Sequence, residues 1–392
     1  MSTPYQTEHV RVANRHSVYR ALRDIGTATR ADLAARTGLS APTVGAILHD
    51  LERAGLVADA GTEAGTGGRP ARRVSFVADA AHVLAVDLSG RHAHACRVAL
   101  DGEVRDRASG PALAPGVTDT VVAWLAGLLA EDGPPIKQLA LAVPGVVDPS
   151  GEHVDLAPAL GWHDLPLART LCEALGVPVV LENDVNALAL AELRLGAGSA
   201  QRHALYVAIG SGLGAGVVID GRLHRGAHAA AGEIGSNLTC ADDRAALRPG
   251  APGPLEARVV AAAEACLGRD GQLDLDQAEH RAAFADLQAL LAPTLHNLAC
   301  LLDPEVLVVA WPADPEGALV RSLRERWHTP WPIALEAGTL GRDGAARGAA
   351  LLALERVEDE VCRPRHSAAG RAATPLTHAR TQLATPDRSR HA

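Results

Sequence analysis

Residues 205–235 read LYVAIGSGLGAGVVIDGRLHRGAHAAAGEIG. Leu205 to Ile209 is a short apolar, β-branched run of buried-strand type, and Gly210-Ser211-Gly212 turns it back into a second such run, Ala215 to Ile219. Asp220-Gly221 then turns the chain towards Gly226, Gly232 and one carboxylate, Glu233. Glycines at 210, 212, 214 and 216 allow positive φ and close approach of the backbone, so that successive amides could cradle an anion such as phosphate. The same glycines are equally what tight hairpins require in a chain that holds 38 of them.

Immediately upstream, Val177 to Leu181 reads as a strand that delivers Glu182-Asn183-Asp184 at its C-terminal end, where open α/β sheets form their crevice. A helix over 184–195 follows. Farther upstream, VLAVDLSG (83–90) opens a similar unit, with a strand over 95–100, an Asp101-Gly102 turn, helices over 117–131 and 167–176, and a strand over 139–143. Downstream come helices near 256–267, 284–302, 317–327 and 343–357, with a strand over 306–310. A strand-and-hairpin opening therefore occurs twice. Residues 359–392, rich in Arg, His, Pro, Thr and Ala without apolar periodicity, read as a disordered tail.

The N-terminal segment, residues 1–78, is of another kind. Val18, Leu22 and Ile25 keep helical spacing; Thr29 can cap a second helix over 30–36, and Gly38 permits the turn into Ser40, the cap of a third over 41–53. Val44, Ile47, Leu48 and Leu51 give that third helix one apolar face and leave Pro42, Thr43, Gly45, Ala46 and His49 on the other. This is helix-turn-helix patterning. Leu56-Val57 and Arg73 to Phe76 can pair as the strands of a wing with tip GTGGRPARR (65–73). A small-residue recognition helix suits the major groove of duplex DNA, and Arg69, beside glycines and Pro70, suits the minor groove. Ser40, Pro42, Thr43, His49 and Arg69 are the DNA-binding candidates, Ser40 being first of all a helix cap.

Composition agrees. Arginines outnumber carboxylates over residues 1–78, in a chain whose formal net charge is −9. Six scattered cysteines with no C-x-x-C pair give no metal spacing and suit a reducing compartment. The N-terminus lacks the apolar middle of a secretory signal and no run is long enough for a membrane span, so a cytoplasmic location without membrane contact is expected.

Taken together, the winged helix, VDLSG, LENDVNA (181–187), the stretch ending in GEIG and LDPEVLVV (302–309) resemble the ROK family, which groups transcriptional repressors with sugar kinases. The resemblance implies an α/β chain with an N-terminal winged helix-turn-helix (1–78), a two-lobed actin- or hexokinase-like domain (79–358), a sugar or sugar-phosphate ligand in the cleft, homodimers or homotetramers, and duplex operator DNA as partner. It also implies that Asp184 stands at the position of the kinases' base, and that Asn183 and Glu233 contact the sugar. Asn183 and Asp184 as mere caps of the next helix is the alternative.

The departures are informative. Where the family has Asp-x-Gly-Gly-Thr, this chain has Asp87-Leu88-Ser89-Gly90-Arg91; a glycine run after the strand 306–309 is replaced by Ala310-Trp311-Pro312; a sugar-contacting Asn is replaced by Ala159. The His after Glu-Ile-Gly is Ser236, and of the family's cysteine-rich zinc loop only Cys240 stands, so no metal and no cofactor are expected. The expected function is that of a DNA-binding regulator, a repressor, with a silent kinase-like body that senses a ligand or mediates dimerisation. An active hexose kinase is the alternative, and a ligand-blind regulator a third reading.

Overall fold

The computed structural model describes residues 4–63, 71–199, 201–248 and 251–363. Three helices, α1 (Pro4–Ile25), α2 (Arg30–Thr37) and α3 (Ala41–Arg53), and a three-stranded sheet form the N-terminal unit. Its strands β1 (Thr27–Thr29), β2 (Val57–Glu63) and β3 (Ala71–Phe76) lie in the order β1-β3-β2, so the wing gains a strand that the sequence did not announce. Thr29 caps α2 in a capping box with Asp32, Gly38 closes that helix at φ +70°, and the Ser40 hydroxyl accepts from the amide of Thr43 to open α3. Val44, Ile47, Leu48 and Leu51 are all buried, against Val18, Leu22 and Leu33. Helix α1 begins at Pro4, ahead of the apolar spacing that starts at Val18, and Val10 between them is solvent-exposed.

Two five-stranded sheets follow, and they share one topology. In the first, β4 (His82–Asp87), β5 (His92–Ala99) and β6 (Val104–Ala112) form an antiparallel meander, and β7 (Ile136–Val143) and β11 (Val179–Asn183) add in parallel on the β4 side, giving β11-β7-β4-β5-β6. Between them lie α4 (Thr118–Leu129), α5 (Leu167–Leu175) and a small sheet of β8 (Val146–Val147), β9 (Val154–Ala157) and β10 (Trp162–Leu165). After α6 (Asp184–Leu195), strands β12 (Ala204–Ile209), β13 (Leu213–Ile219) and β14 (Arg222–His224) repeat the meander. Beyond α7 (Pro254–Glu264) and α8 (Ala278–Leu302), β15 (Val306–Ala310) and, past α9 (Ala318–Arg324), β16 (Ala334–Ala337) repeat the parallel additions, giving β14-β13-β12-β15-β16. The doubled strand-and-hairpin opening is thus a doubled lobe.

The chain closes with α10 (Gly344–Cys362), which runs past Glu358 into the segment the sequence assigned to a tail. The extension is held by burial of Val357, Glu358 and Cys362 against the N-terminal unit. The remainder of the expected tail, 364–392, lies outside the described residues. At its other end α10 crosses α6 at very short range: a β-carbon on Gly348 would stand 1.7 Å from the Ala187 carbonyl, and one on Gly344 would stand 2.4 Å from Leu188. Only glycine permits that approach.

Candidate ligand cleft and nucleic-acid interface

Four carboxylates gather where the lobes meet. Asp87 ends β4, Asp184 opens α6, Glu233 follows the glycine-rich loop, and Glu256 lies in the first turn of α7. Burial pushes the Asp184 carboxyl up to about 7, with Asp87 and Glu233 adding to the effect and the Val185 amide opposing it. Asp87 is also raised, by burial, although its carboxylate accepts from the Ser89 amide at 2.8 Å and the Ser89 hydroxyl at 2.6 Å. Partial desolvation and then Glu256 raise Glu233. Glu256 escaped the sequence reading, since nothing in its neighbourhood marks it before the α7 turn is seen packed on Gly212 and Gly235.

The sites predicted from sequence divide. Asn183 caps α6 by accepting from the Asn186 amide at 2.9 Å, and its amide group donates to the Gly145 carbonyl and to Asp184. Both ends of that side chain are therefore engaged within the protein, and the capping role exists whatever the cleft binds. Beside it, buried Glu182 accepts from the Asn186 side chain and from Arg225 of the opposite lobe.

The glycine turn differs from its expectation. None of Gly210, Gly212, Gly214 and Gly216 has positive φ. Gly214 and Gly216 lie within β13, where β-carbons would meet Val185 at 2.8 Å and Ala189 at 2.3 Å, so these glycines seat α6 on the sheet. Gly212 faces Glu256, and only Gly210 fronts open space. At the turn itself the Ser211 hydroxyl donates to the Ser89 carbonyl at 2.5 Å, joining the two loops that would flank a phosphate. Arg91, of the first loop, pairs with Glu264 at 3.2 Å across the same gap.

Two further departures take structural form. Trp311 does not cover the cleft surface: it is buried in the second lobe's core among Leu307, Leu319 and Leu335, continuing the apolar run of β15 inward. The segment that the resemblance equates with a zinc loop is organised by a carboxylate. Asp243 accepts from the Thr239 amide at 2.6 Å, the Thr239 hydroxyl at 2.9 Å, the Cys240 amide at 3.1 Å and Arg258 at 2.9 Å. The backbone hydrogen bond from Thr239 foremost holds that carboxyl well below its ordinary range.

On the N-terminal unit, Pro42 and His49 are exposed on the free face of α3 and Thr43 is half-buried. The Ser40 and Thr43 hydroxyls bond one another at 2.8 Å. Gly45 is not free: it lies under Arg30, whose Cδ would be 3.4 Å from an added β-carbon. Arg30 is thereby placed as an exposed cation beside the recognition helix, a neighbour that linear sequence cannot reveal. Arg72 is tied down by Glu52 at 2.6 Å and Asp59 at 2.8 Å. Arg69 lies outside the described residues.

A winged helix-turn-helix followed by a duplicated two-lobed α/β body of the sugar-kinase type is the class these elements define. The chain belongs to the ROK family: the family model matches residues 83–356, and a winged helix-turn-helix DNA-binding model matches residues 13–58. It is 27% identical over 229 residues to a xylose repressor of Caldicellulosiruptor bescii, with 57% of each chain covered. The chain spans less than three fifths of the length of the first xylose repressors it matches. Among solved structures, a ROK family transcriptional regulator homologous to the E. coli MLC protein superposes with a TM-score of 0.69 at 21% identity, covering 90% of this chain and 98% of that one, which shows the shared fold. A ROK family glucokinase of Streptomyces griseus, solved with glucose and AMPPNP, superposes with a TM-score of 0.58 at 27% identity over 70% of this chain and 99% of that one. No helix among the described residues is long and apolar enough to cross a membrane.

Proposed function

We propose that the protein is a DNA-binding transcriptional repressor, a cytoplasmic homodimer or homotetramer, whose ROK body senses a sugar or sugar-phosphate without phosphorylating it. The observation that carries this reading is a continuous connection from cleft to recognition helix. Asp184 opens α6; α6 is packed on α10 through Ala187 and Gly348; α10 ends against α1 and, through Arg15, against α3. Arg15 donates to Asp50 of α3 at 2.8 Å and to the Val361 carbonyl of α10 at 3.4 Å. A ligand that bound the Asn183, Asp184 and Glu233 side of the cleft in one lobe arrangement only would bias the position of α10, and with it the spacing of paired recognition helices. Pro42, Thr43, His49 and Arg69 serve as groove contacts, Ser40 as the cap that orients them, and Arg30 as a phosphate contact.

The test is genomic footprinting to find the operator, then a gel shift on that duplex across a sugar panel. Sequence-specific binding released by one sugar class is expected. Binding indifferent to every sugar, with no ligand-induced thermal shift, leaves a ligand-blind regulator; absence of duplex binding overturns the reading. The second reading, an active sugar kinase, is favoured by the place of Asp184 at the start of α6 in the cleft, where burial pushes its carboxyl up towards the range of a general base.

A further inference from the structure

We propose that His94, Cys96 and Asp343 form a metal site for a thiophilic divalent cation of the zinc type, distinct from the segment around Cys240. His94 and Cys96 are two apart on β5, so both side chains leave the sheet on one face. That face is covered by α10, and Asp343 stands immediately before its first residue. The ligand atoms of the three lie within 4.8 Å of one another. His94 Nε2 is 3.6 Å from Cys96 Sγ and 2.9 Å from Asp343 Oδ1.

The His94–Cys96 separation matches one edge of a tetrahedral site, and the His94–Asp343 separation is a little short of another. Zinc–nitrogen and zinc–sulfur bonds of about 2.05 and 2.3 Å at a tetrahedral angle put the two ligand atoms about 3.6 Å apart, which is the separation observed. A nitrogen and a carboxylate oxygen would stand about 3.3 Å apart, so the present contact opens by a few tenths of an ångström when a cation replaces the shared proton. Imidazole, thiolate and carboxylate form a mixed donor set that suits zinc, and a fourth position is left for water. The other Asp343 oxygen accepts from Arg107 at 2.8 Å, which fixes the carboxylate as an outer-sphere partner does. Asp343 is part-exposed and supplies the entry side, whereas Cys96 is fully buried. Binding displaces the Cys96 thiol proton to solvent as the sulfur–metal bond forms.

Full-length protein stripped with chelator and titrated with Co²⁺ tests this. One equivalent per chain is expected, with a thiolate-to-cobalt charge-transfer band that Zn²⁺ bleaches. Cys96→Ser should abolish the band and Cys240→Ser should leave it. No saturable binding, a band that survives Cys96→Ser, or one lost with Cys240→Ser overturns the proposal. Should Cys96→Ser fail to fold by circular dichroism, His94→Gln and Asp343→Asn decide: loss of saturable binding in folded protein supports the site, and wild-type saturation in both overturns it.

Discussion

Arg20 on the first helix donates to Glu358 on the last at 2.5 Å, across 338 positions of chain. Glu358 also accepts from Arg23 at 3.3 Å and lies 2.7 Å from His16 Nδ1, so one buried carboxylate holds three basic side chains of α1. This is a joint between the DNA-binding unit and the body. Glu358→Gln keeps the shape but removes the charge and is expected to destabilise the protein by about 1–3 kcal/mol, since hydrogen bonds to a charged group become neutral ones. Under the repressor reading it should also weaken the response of DNA affinity to sugar while leaving sugar binding itself intact. Denaturant unfolding and paired gel shifts check both halves.

The end of α10 makes a second prediction. Cys362 is fully buried and the Val361 carbonyl receives Arg15. Truncation after Val361 should therefore lower the melting temperature, whereas truncation after Arg363 should not. Equal melting of both truncated forms and the whole chain would show that the last turn contributes nothing.

Asp243 is the centre of the 239–258 segment, and Asp243→Ala should loosen it by leaving the Thr239 and Cys240 amides without their acceptor. Faster amide exchange confined to residues 237–248 is the expected result. Chelator should leave exchange in that segment unchanged, because a carboxylate and not a metal gathers its donors.

Asp184 gives a dependence on pH. Its carboxyl, raised from 3.8 to about 7, keeps its proton in the folded protein at pH values where the unfolded chain has released it. Stability conferred by this group falls as pH rises from about 4 to about 7 and is lost above that range. Asp184→Asn should thus melt close to wild type near pH 4 and progressively above it up to pH 7, by on the order of 4 kcal/mol at most. Parallel melting curves at pH 4.5 and pH 8 show whether the gap opens.

The sequence made some of this legible and left the rest hidden for physical reasons. The α3 face of Val44, Ile47, Leu48 and Leu51, the Thr29 and Ser40 caps and the doubled hairpin are local patterns, and each folds as its residues dictate. Phosphate contact and helix packing demand the same residue at 210–216, so sequence alone does not separate them; Val185 and Ala189 give Gly214 and Gly216 a packing role. Glu358, Glu256, Arg30 and the His94–Asp343 pair carry no local signature, since their partners come from distant chain and only the closed tertiary structure brings them together.

The last prediction concerns catalysis. Phosphoryl transfer rests on positioning and on stabilising charge over the phosphate oxygens, so a base near neutrality is not enough. Here the loops that would flank the phosphates touch through Ser211 and Ser89, and the Ser89 amide and hydroxyl both donate to Asp87 Oδ1. Arg91, the cation brought into that loop, is directed at Glu264 and not inward. A displacement of about 1 Å already costs about a hundredfold in rate. Background turnover is therefore expected in a coupled ADP-release assay over aldohexoses and N-acetylhexosamines with magnesium and ATP, with Asp184→Asn indistinguishable from wild type. Turnover that Asp184→Asn abolishes would establish the kinase reading in its place.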